Sequence, residues 1–380
     1  MKALKPILLV LGLGGVLFGA LANPEAVSGR ISVSCILFGA IALIVSAVLL
    51  ALPHMSEGMQ RRVRRLTEKK EFILFLFLFA VVYIFWLINP NFLSLSNVKG
   101  IMNSAFAMGM LAIGIGCLMI SGQIDLSAGS TGMFATILMA MLLRTGMPWV
   151  PALLIVLLFG VATGLVNSFF VNVMHFMSFI STLAISTVFG GLALIVTNAQ
   201  NISIGNKSFC SIGSHMVFGV IPLPFLLMAA VFAIYGIVLT YTGFGRRIYM
   251  VGCNQNAARL AGINSKKLTT ILFVNGSVIS CLTGVVMAAR MHMGSPTSVS
   301  GSEMDAITVA VLGGIAFTGG SGNMLGVAIA TLLIAAFQNG LVVAGLSSYY
   351  QIVAKGILLI AALLLDYSRE RARQKSLKLH

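Results

Sequence analysis

Residues Gly243–Asn264 read GFGRRIYMVGCNQNAARLAGIN. The stretch lies between two long apolar segments and carries Arg246, Arg247 and Arg259, four glycines and no acid; Lys266 and Lys267 stand just before the next apolar run. A polar, basic connection inside an apolar chain is expected to face the cytoplasm, because positive loops are retained on that side of a membrane. Its middle, 254–263, is expected to form a short helix. Asn254 or Asn256 can cap it, Ala257, Ala258 and Ala261 favour it, and Gly262 can end it. Leu260 and Ile263 then place apolar groups on one edge beside Arg259, as a small docking surface. The competing reading is a basic loop that only fixes topology.

Composition agrees with a membrane setting. Of 380 residues, 58% are apolar and 9% charged, against about 25% charged in soluble domains. Repeated apolar runs near the length that spans a bilayer point to an all-α, polytopic membrane protein. The 40 glycines suit close helix packing in lipid, and the 21 methionines are apolar filler. A net charge of +15 raises the question of nucleic acid, but the distribution of the charge answers it. Eighteen of the 24 lysines and arginines fall in the first five residues, in 54–70, in 242–267 and in the tail after Asp366. Those are alternate gaps between apolar runs, so the charge orients the chain and no nucleic-acid partner is expected; contact with membrane lipid is a minor effect. Cys35, Cys117, Cys210, Cys253 and Cys281 show neither paired spacing nor a metal pattern. Cys210, in an expected outer loop, is the one singled out for reactivity.

The wording of the loop resembles the cytoplasmic coupling loop of the permeases of ribose- and galactose-type sugar ABC importers, roughly FGR-x-I-x-A-x-G-G-N-x-x-A-A-x-x-x-G-I. Phe244, Gly245, Arg246, Ile248, Gly252, Asn254, Ala257, Ala258, Gly262 and Ile263 match, while Met250 replaces an alanine and Cys253 a glycine. The resemblance implies that the helix sits in a cleft of a separate ATPase subunit, with Arg246, Arg247, Gly252, Asn254, Ala257, Ala258, Arg259 and Gly262 as the coupling residues. It extends over residues 85–368. In that range Pro90, Phe92, Leu93, Ser94 and Asn97 fit a P-x-F-L-S-x-x-N phrase; physically, Pro90 ends a helix and Ser96 or Asn97 can cap the next.

Helices are expected near 71–89, 101–120, 127–143, 149–174, 179–197, 216–241, 268–290, 305–318, 324–346 and 351–366. Two more, at 1–22 and 31–53, bring the total to about twelve, each near the spanning length. This gives a ten-helix permease domain over 71–368, an added N-terminal hairpin with a basic linker over 1–70, and a basic tail over 369–380. Residues 1–22 also resemble a secretory signal ending at Ala20-Leu21-Ala22; an uncleaved helix is the expectation, which puts both termini in the cytoplasm.

Between Phe72 and Leu365 the chain has three acids: Asp125, Glu303 and Asp305. Asp125 lies in SGQIDLSAGS, 121–130, where glycines flank a carboxylate between apolar runs. That pattern suggests a backbone break and a restarting helix, capped by Asp125 or Ser127. The functional reading is that Asp125 and Ser127 shape the pathway or its inner gate, since a carboxylate at membrane depth needs a partner. Glu303 and Asp305 lie in VSGSEMDAITVAVLGG, 299–314, at an expected outer helix start. Capping is expected of Asp305; Glu303 remains open between capping, pairing with Arg290 and meeting an arriving protein. SGQID at 121 and SGSEMD at 300 begin 179 residues apart, a faint trace of duplication. Both phrases also have counterparts in the sugar permeases, G-G-x-D-L-S-x-G-S and E-L-D-A-I-A-A-x-V-x-G-G.

FTGGSGNMLG, 317–326, is glycine-rich, but no Gly-Lys-Ser/Thr follows it, so it is not a phosphate loop. Lys355 either snorkels or faces the pore. The five histidines are scattered and no nucleophile motif appears, so no catalysis, metal or cofactor is expected in this chain; ATP and Mg are expected in the ATPase. The expected function is the permease subunit of a bacterial inner-membrane importer for a monosaccharide, a pentose or hexose. It would work by alternating access, with an ABC ATPase subunit, a periplasmic or lipid-anchored sugar-binding protein and a second permease copy, identical or paralogous. Alternatives are a permease for a nucleoside, a sugar-like signal molecule or a branched-chain amino acid, and a stand-alone secondary carrier.

Overall fold

The structure is a computed structural model, and it describes residues 70–347, 349–354, 356, 357 and 360. The expected helices over 1–22 and 31–53, much of the one over 351–366 with Lys355, and the basic tail lie outside the described residues. The chain clusters into two compact units, residues 1–92 and 93–380. In the first, α1 (Lys70–Ile88) is an apolar helix, after which Pro90 opens a 3-10 turn over Pro90–Leu93. The Phe85 and Phe92 rings meet at 5.7 Å across that turn.

The second unit holds α2 (Leu95–Ile120), α3 (Ala128–Arg144), α4 (Trp149–Asn172), α5 (Ser178–Thr197), β1 (Ile202–Ser203), α6 (Lys207–Ser214), β2 (Met216–Val217), β3 (Ile221–Pro222), α7 (Leu223–Tyr241), α8 (Gly243–Cys253), α9 (Gln255–Leu260), α10 (Ser265–Met291), β4 (Met293–Gly294), α11 (Ser302–Leu312) and α12 (Met324–Val343). Among the described residues, α1, α2, α4, α5, α7, α10 and α12 are long and apolar enough to cross a membrane, and α3 is apolar but shorter. The protein is a polytopic helical membrane protein.

Local chemistry sets the ends of the helices. The Ser94 hydroxyl accepts the Asn97 amide at 3.3 Å, so α2 starts six residues before the expected 101 and places Ser96 and Asn97 inside its first turn. The expected helix over 216–241 begins only at Leu223. Residues 216–222 form instead a hairpin in which Met216 faces Pro222 and Val217 faces Ile221, turning at Gly219 with φ +69°. Asn323 caps α12 by accepting the Leu325 amide at 3.0 Å.

Two helices form the centre. α10 packs on α2, α3 and α4, and α2 packs on α11, α12 and α7. The contacts are close because glycines line them. A Cβ at Gly164 of α4 would overlap the backbone of Val274 on α10, and one at Gly284 of α10 would overlap the Gly132 carbonyl of α3. Small residues at crossings let backbones approach in lipid, where packing rather than water drives association. By contrast α4, α5 and α7 turn large apolar side chains outward, among them Leu158, Ile195 and Ile237. That is the surface a bilayer solvates.

Two stretches interrupt the helical pattern: one turns at the left-handed Gly122 (φ +82°), and the other leaves α10 at the left-handed His292 (φ +56°) and ends at Gly301 (φ +84°). After Ile120 the chain is irregular until Ala128. Its amides at Ile124 and Leu126 donate to the Ser178 and Thr182 hydroxyls of α5, at 3.1 and 3.0 Å. Between α10 and α11, β4 pairs antiparallel with β1 (Ile202↔Gly294, Ser203↔Met293). The chain then follows α3: the Ser295 amide donates to the Thr136 hydroxyl at 3.2 Å, and Val299 lies against Gly132. Non-helical backbone inside a membrane bundle needs such partners for every free amide it can satisfy. α11 therefore begins beside the first turn of α3 and not at the far end of the bundle.

Candidate coupling surface and helix breaks

The basic stretch that opened the sequence folds as two helices joined at one residue. Thr242 accepts the Gly245 amide at 3.2 Å and starts α8. Phe244, Ile248 and Val251 recur at helical spacing; Ile248 and Val251 are buried and Phe244 is half-buried, while Arg246, Arg247 and Met250 are exposed on the other side. Asn254 is both the C-cap of α8 and the N-cap of α9; its side-chain oxygen accepts the Ala257 amide at 3.0 Å. α9 is shorter than the expected 254–263. It closes when the Ile263 amide donates to the Ala258 carbonyl at 3.0 Å and Gly262 takes φ +79°. Asn264 then caps α10 by accepting the Lys267 amide at 3.0 Å.

The eight residues expected to couple do not share one face. Arg246, Arg247, Asn254, Ala257, Arg259 and Gly262 are exposed. Ala258 is 1% exposed and points into the protein, and Gly252 presses on α2: a Cβ there would overlap the Ile120 carbonyl oxygen. Leu260, by contrast, is 91% exposed on the free side of α9. A cleft of about 830 Å³ lies next to it, lined by His175, Gln255, Asn256, Arg259, Gly262 and Lys266 among others. His175 belongs to the short α4–α5 connection, which the Asn172 amide ties to the same end by donating to the Lys266 carbonyl at 3.0 Å. An exposed leucine beside an arginine and a polar cleft is the composition of a docking surface, not of a lipid-facing one.

α8 also grips the turn between α11 and α12. The Tyr249 hydroxyl donates to the Gly322 carbonyl at 2.9 Å, and burial pushes its phenol above the ordinary value, so it stays protonated. The Cys253 thiol lies 3.4 Å from the Gly320 carbonyl, and the Gly320 amide donates to the Ile120 carbonyl at 2.8 Å. Sequence reading missed α8 and Tyr249. The i, i+4, i+7 signal was present at Phe244, Ile248 and Val251, but two glycines and the arginine pair hid it.

At the first break Asp125 is 1% exposed. Its Oδ1 accepts from the Ser127 amide at 2.8 Å and the Ser127 hydroxyl at 2.6 Å, and Asn167 of α4 donates to that hydroxyl at 2.8 Å. The expected cap is corrected: Ser127 holds the N-cap position of α3, yet neither it nor Asp125 bonds the amides inside the helix. The carboxylate holds the turn instead, and Asn167, a polar residue in an apolar run, is the partner the sequence reading did not name.

Glu303 and Asp305 stand at a helix start, as expected, though neither is its N-cap. Gly301 is the N-cap of α11 and both acids lie in its first turn, where they favour the positive helix end. The Glu303 carboxylate rests on the backbone of Gly129 in the first turn of α3. It lies two turns of α3 from Thr136, where Ser295 is held. Arg290 donates to the Asn103 carbonyl on α2 at 2.9 Å. Two helix N-termini, each with its own carboxylate, thus converge inside the bundle. Cys210 is buried rather than open to reagents, and burial pushes its thiol above the ordinary value; Cys253 is the exposed thiol among the described residues.

Comparison with known proteins agrees with this arrangement. The family described as branched-chain amino acid transport system / permease component matches residues 97–363. The ribose import permease protein RbsC of Bacillus subtilis is 35% identical over 77% of this chain and 91% of its own length. RbsC of Haemophilus influenzae is 33% identical, covering 80% and 94%. The L-arabinose transport system permease protein AraH of Escherichia coli K12 is 33% identical, covering 79% and 91%. No solved structure matches the chain. Over most of its length, then, the chain belongs to the permease family of the branched-chain amino acid transport systems, with the sequence of a sugar ABC importer permease.

Proposed function

We propose that this chain is the pore-forming subunit of an ATP-driven importer that carries a pentose or hexose across the bacterial inner membrane. The observation that carries the reading is α9: a capped helix that turns Leu260 and Arg259 outward beside a polar cleft, in a stretch more basic than any other between helices of the described bundle. A separate ATPase subunit holding ATP and Mg²⁺ docks there, on the cytoplasmic side. A sugar-binding protein, periplasmic or lipid-anchored, delivers the solute to the opposite end, and a second permease copy completes the pore. Closure of the ATPase displaces α9 and drives alternating access. Both termini face the cytoplasm.

Among solutes, a neutral sugar suits the helix breaks better than an amino acid. A helix N-terminus inside a transporter can hold a solute carboxylate. Here the N-termini of α3 and α11 already carry Asp125 and Glu303. The named relatives carry ribose and L-arabinose in their titles, which supports a monosaccharide.

The test is uptake by liposomes holding the chain with the ATPase co-purified from its own membrane, supplied with the binding protein. ATP-dependent uptake of a labelled monosaccharide is expected. Uptake that persists without the ATPase, or that collapses with a proton gradient alone, would make the chain a secondary carrier. Uptake of a nucleoside or branched-chain amino acid in place of sugar would change the substrate class.

A further inference from the structure

The stroke of the ATPase has two exits from α9. One is direct, through Ile263 and Asn264 into α10. The second runs backward. α9 is joined to α8 through Asn254 alone, whose backbone is extended, so the end of α8 follows α9 closely. That end is bonded to the α11–α12 turn through Tyr249 and Gly322, and Cys253 lies against Gly320. The turn is itself closed, since the Ala316 amide donates to the Ser321 carbonyl at 3.0 Å and the Gly319 amide to the Ala316 carbonyl at 3.1 Å. α11 continues from this turn as a rod of 11 residues, about 16 Å long at 1.5 Å per residue. Its far end carries Glu303 on Gly129, next to the Asp125 break.

We propose that the α8 latch, with Tyr249 as its key positioning residue, transmits the ATPase stroke to the short helix α11 and so to the two carboxylates inside the bundle. The inference rests on the importer reading above. Its warrant is a contiguous set of bonded groups rather than proximity. Two features show that the latch is built. Gly252 has no room for a side chain against Ile120, so α8 is seated to within a methyl group of the α2 terminus. Tyr249 reaches a carbonyl of the turn through the one polar atom of an otherwise apolar ring. Arg246 and Arg247 lie on the opposite, exposed side of α8, free for the ATPase or lipid headgroups.

The experiment compares sugar moved per ATP hydrolysed by the full reconstituted importer with wild type and Tyr249→Phe. The variant keeps the ring and loses the hydroxyl. ATPase binding and membrane level are expected to stay unchanged, while sugar per ATP falls about threefold to tenfold, the scale of one net hydrogen bond. A second measurement adds Ser321→Cys to Tyr249→Phe in a Cys35→Ser background and oxidises it, so that a disulfide to Cys253 replaces the lost bond. Crosslinking is expected to raise sugar per ATP back toward the wild-type value, and reductant to lower it again. Wild-type sugar per ATP in Tyr249→Phe, or no recovery when its turn is crosslinked, would overturn the latch. A wild-type importer that ignores ATP would instead overturn the function proposed above, which keeps the two failures apart.

Discussion

The Glu303 carboxylate lies directly on the α-carbon of Gly129, with no space for a methyl group between them. One helix N-terminus thus seats its acid on the bare backbone of another. Gly129→Ala is expected to displace Glu303 or spread α3 from α11, at the cost of overpacking, about 1–3 kcal/mol. Thermal unfolding in detergent should show the loss. Adding Glu303→Ala to Gly129→Ala should recover part of it, and strict additivity in that cycle would contradict the contact.

Asp125 is expected to matter through Ser127 and Asn167. Asp125→Ala leaves the Ser127 amide and hydroxyl without their acceptor inside the bundle, a loss of about 1–3 kcal/mol. Asp125→Asn keeps an oxygen acceptor and should retain most of the stability. Melting temperatures of the two purified variants settle the order, and equal losses would mean that charge rather than hydrogen bonding holds the turn.

Ala258 and Leu260 are expected to part company although they are two residues apart. Leu260→Asp, together with Arg259→Glu, should weaken capture of the ATPase and leave the stability within about 0.5 kcal/mol of wild type, as for exposed sites. Ala258→Leu should lower the melting temperature as well, because the residue is enclosed. Co-purification and unfolding, measured on the same samples, distinguish the two. A pair of exposed variants that still binds the ATPase would remove α9 from the docking surface.

Thiol labelling separates the two cysteine environments. Cys253 is expected to react with a membrane-impermeant maleimide only from the cytoplasmic side. Cys210 should stay unlabelled from either side near neutral pH. Its thiol is raised by burial, so raising the pH liberates the reactive thiolate later than it would for a free thiol. Mass spectrometry of right-side-out and inverted vesicles reads both sites. Labelling of Cys253 from outside would reverse the proposed orientation.

Much of this architecture was legible because hydropathy and capping speak locally. The runs behind α4 and α5 lie within a few residues of the helices found, and Asn254 and Gly262 act at α9 as their chemistry suggested. The course from Met293 to Gly301 was not legible. Its apolar and small residues resemble an outer loop, and the feature that draws it down along α3 is a hydrogen bond between Ser295 and Thr136, 159 residues apart. The hairpin at 216–222 was hidden in the same way by an apolar run that continues into α7. Ala258 showed how a motif can mislead: a residue shared with a docking loop faces inward because the helix needs a small side chain there to seat itself.

α10 has one further consequence. It runs unbroken for 27 residues, about 40 Å, from the Asn264 cap beside α9 to His292, where the strand clasp with Ile202 and Ser203 begins. It packs on α2, α3 and α4, and α4 ties its start, where the Asn172 side chain donates to the Lys266 carbonyl. As one uninterrupted helix, it ties the position of that clasp to the position of Asn264. On the alternating-access reading proposed above, one rod would then move both ends of the bundle, with no second signal.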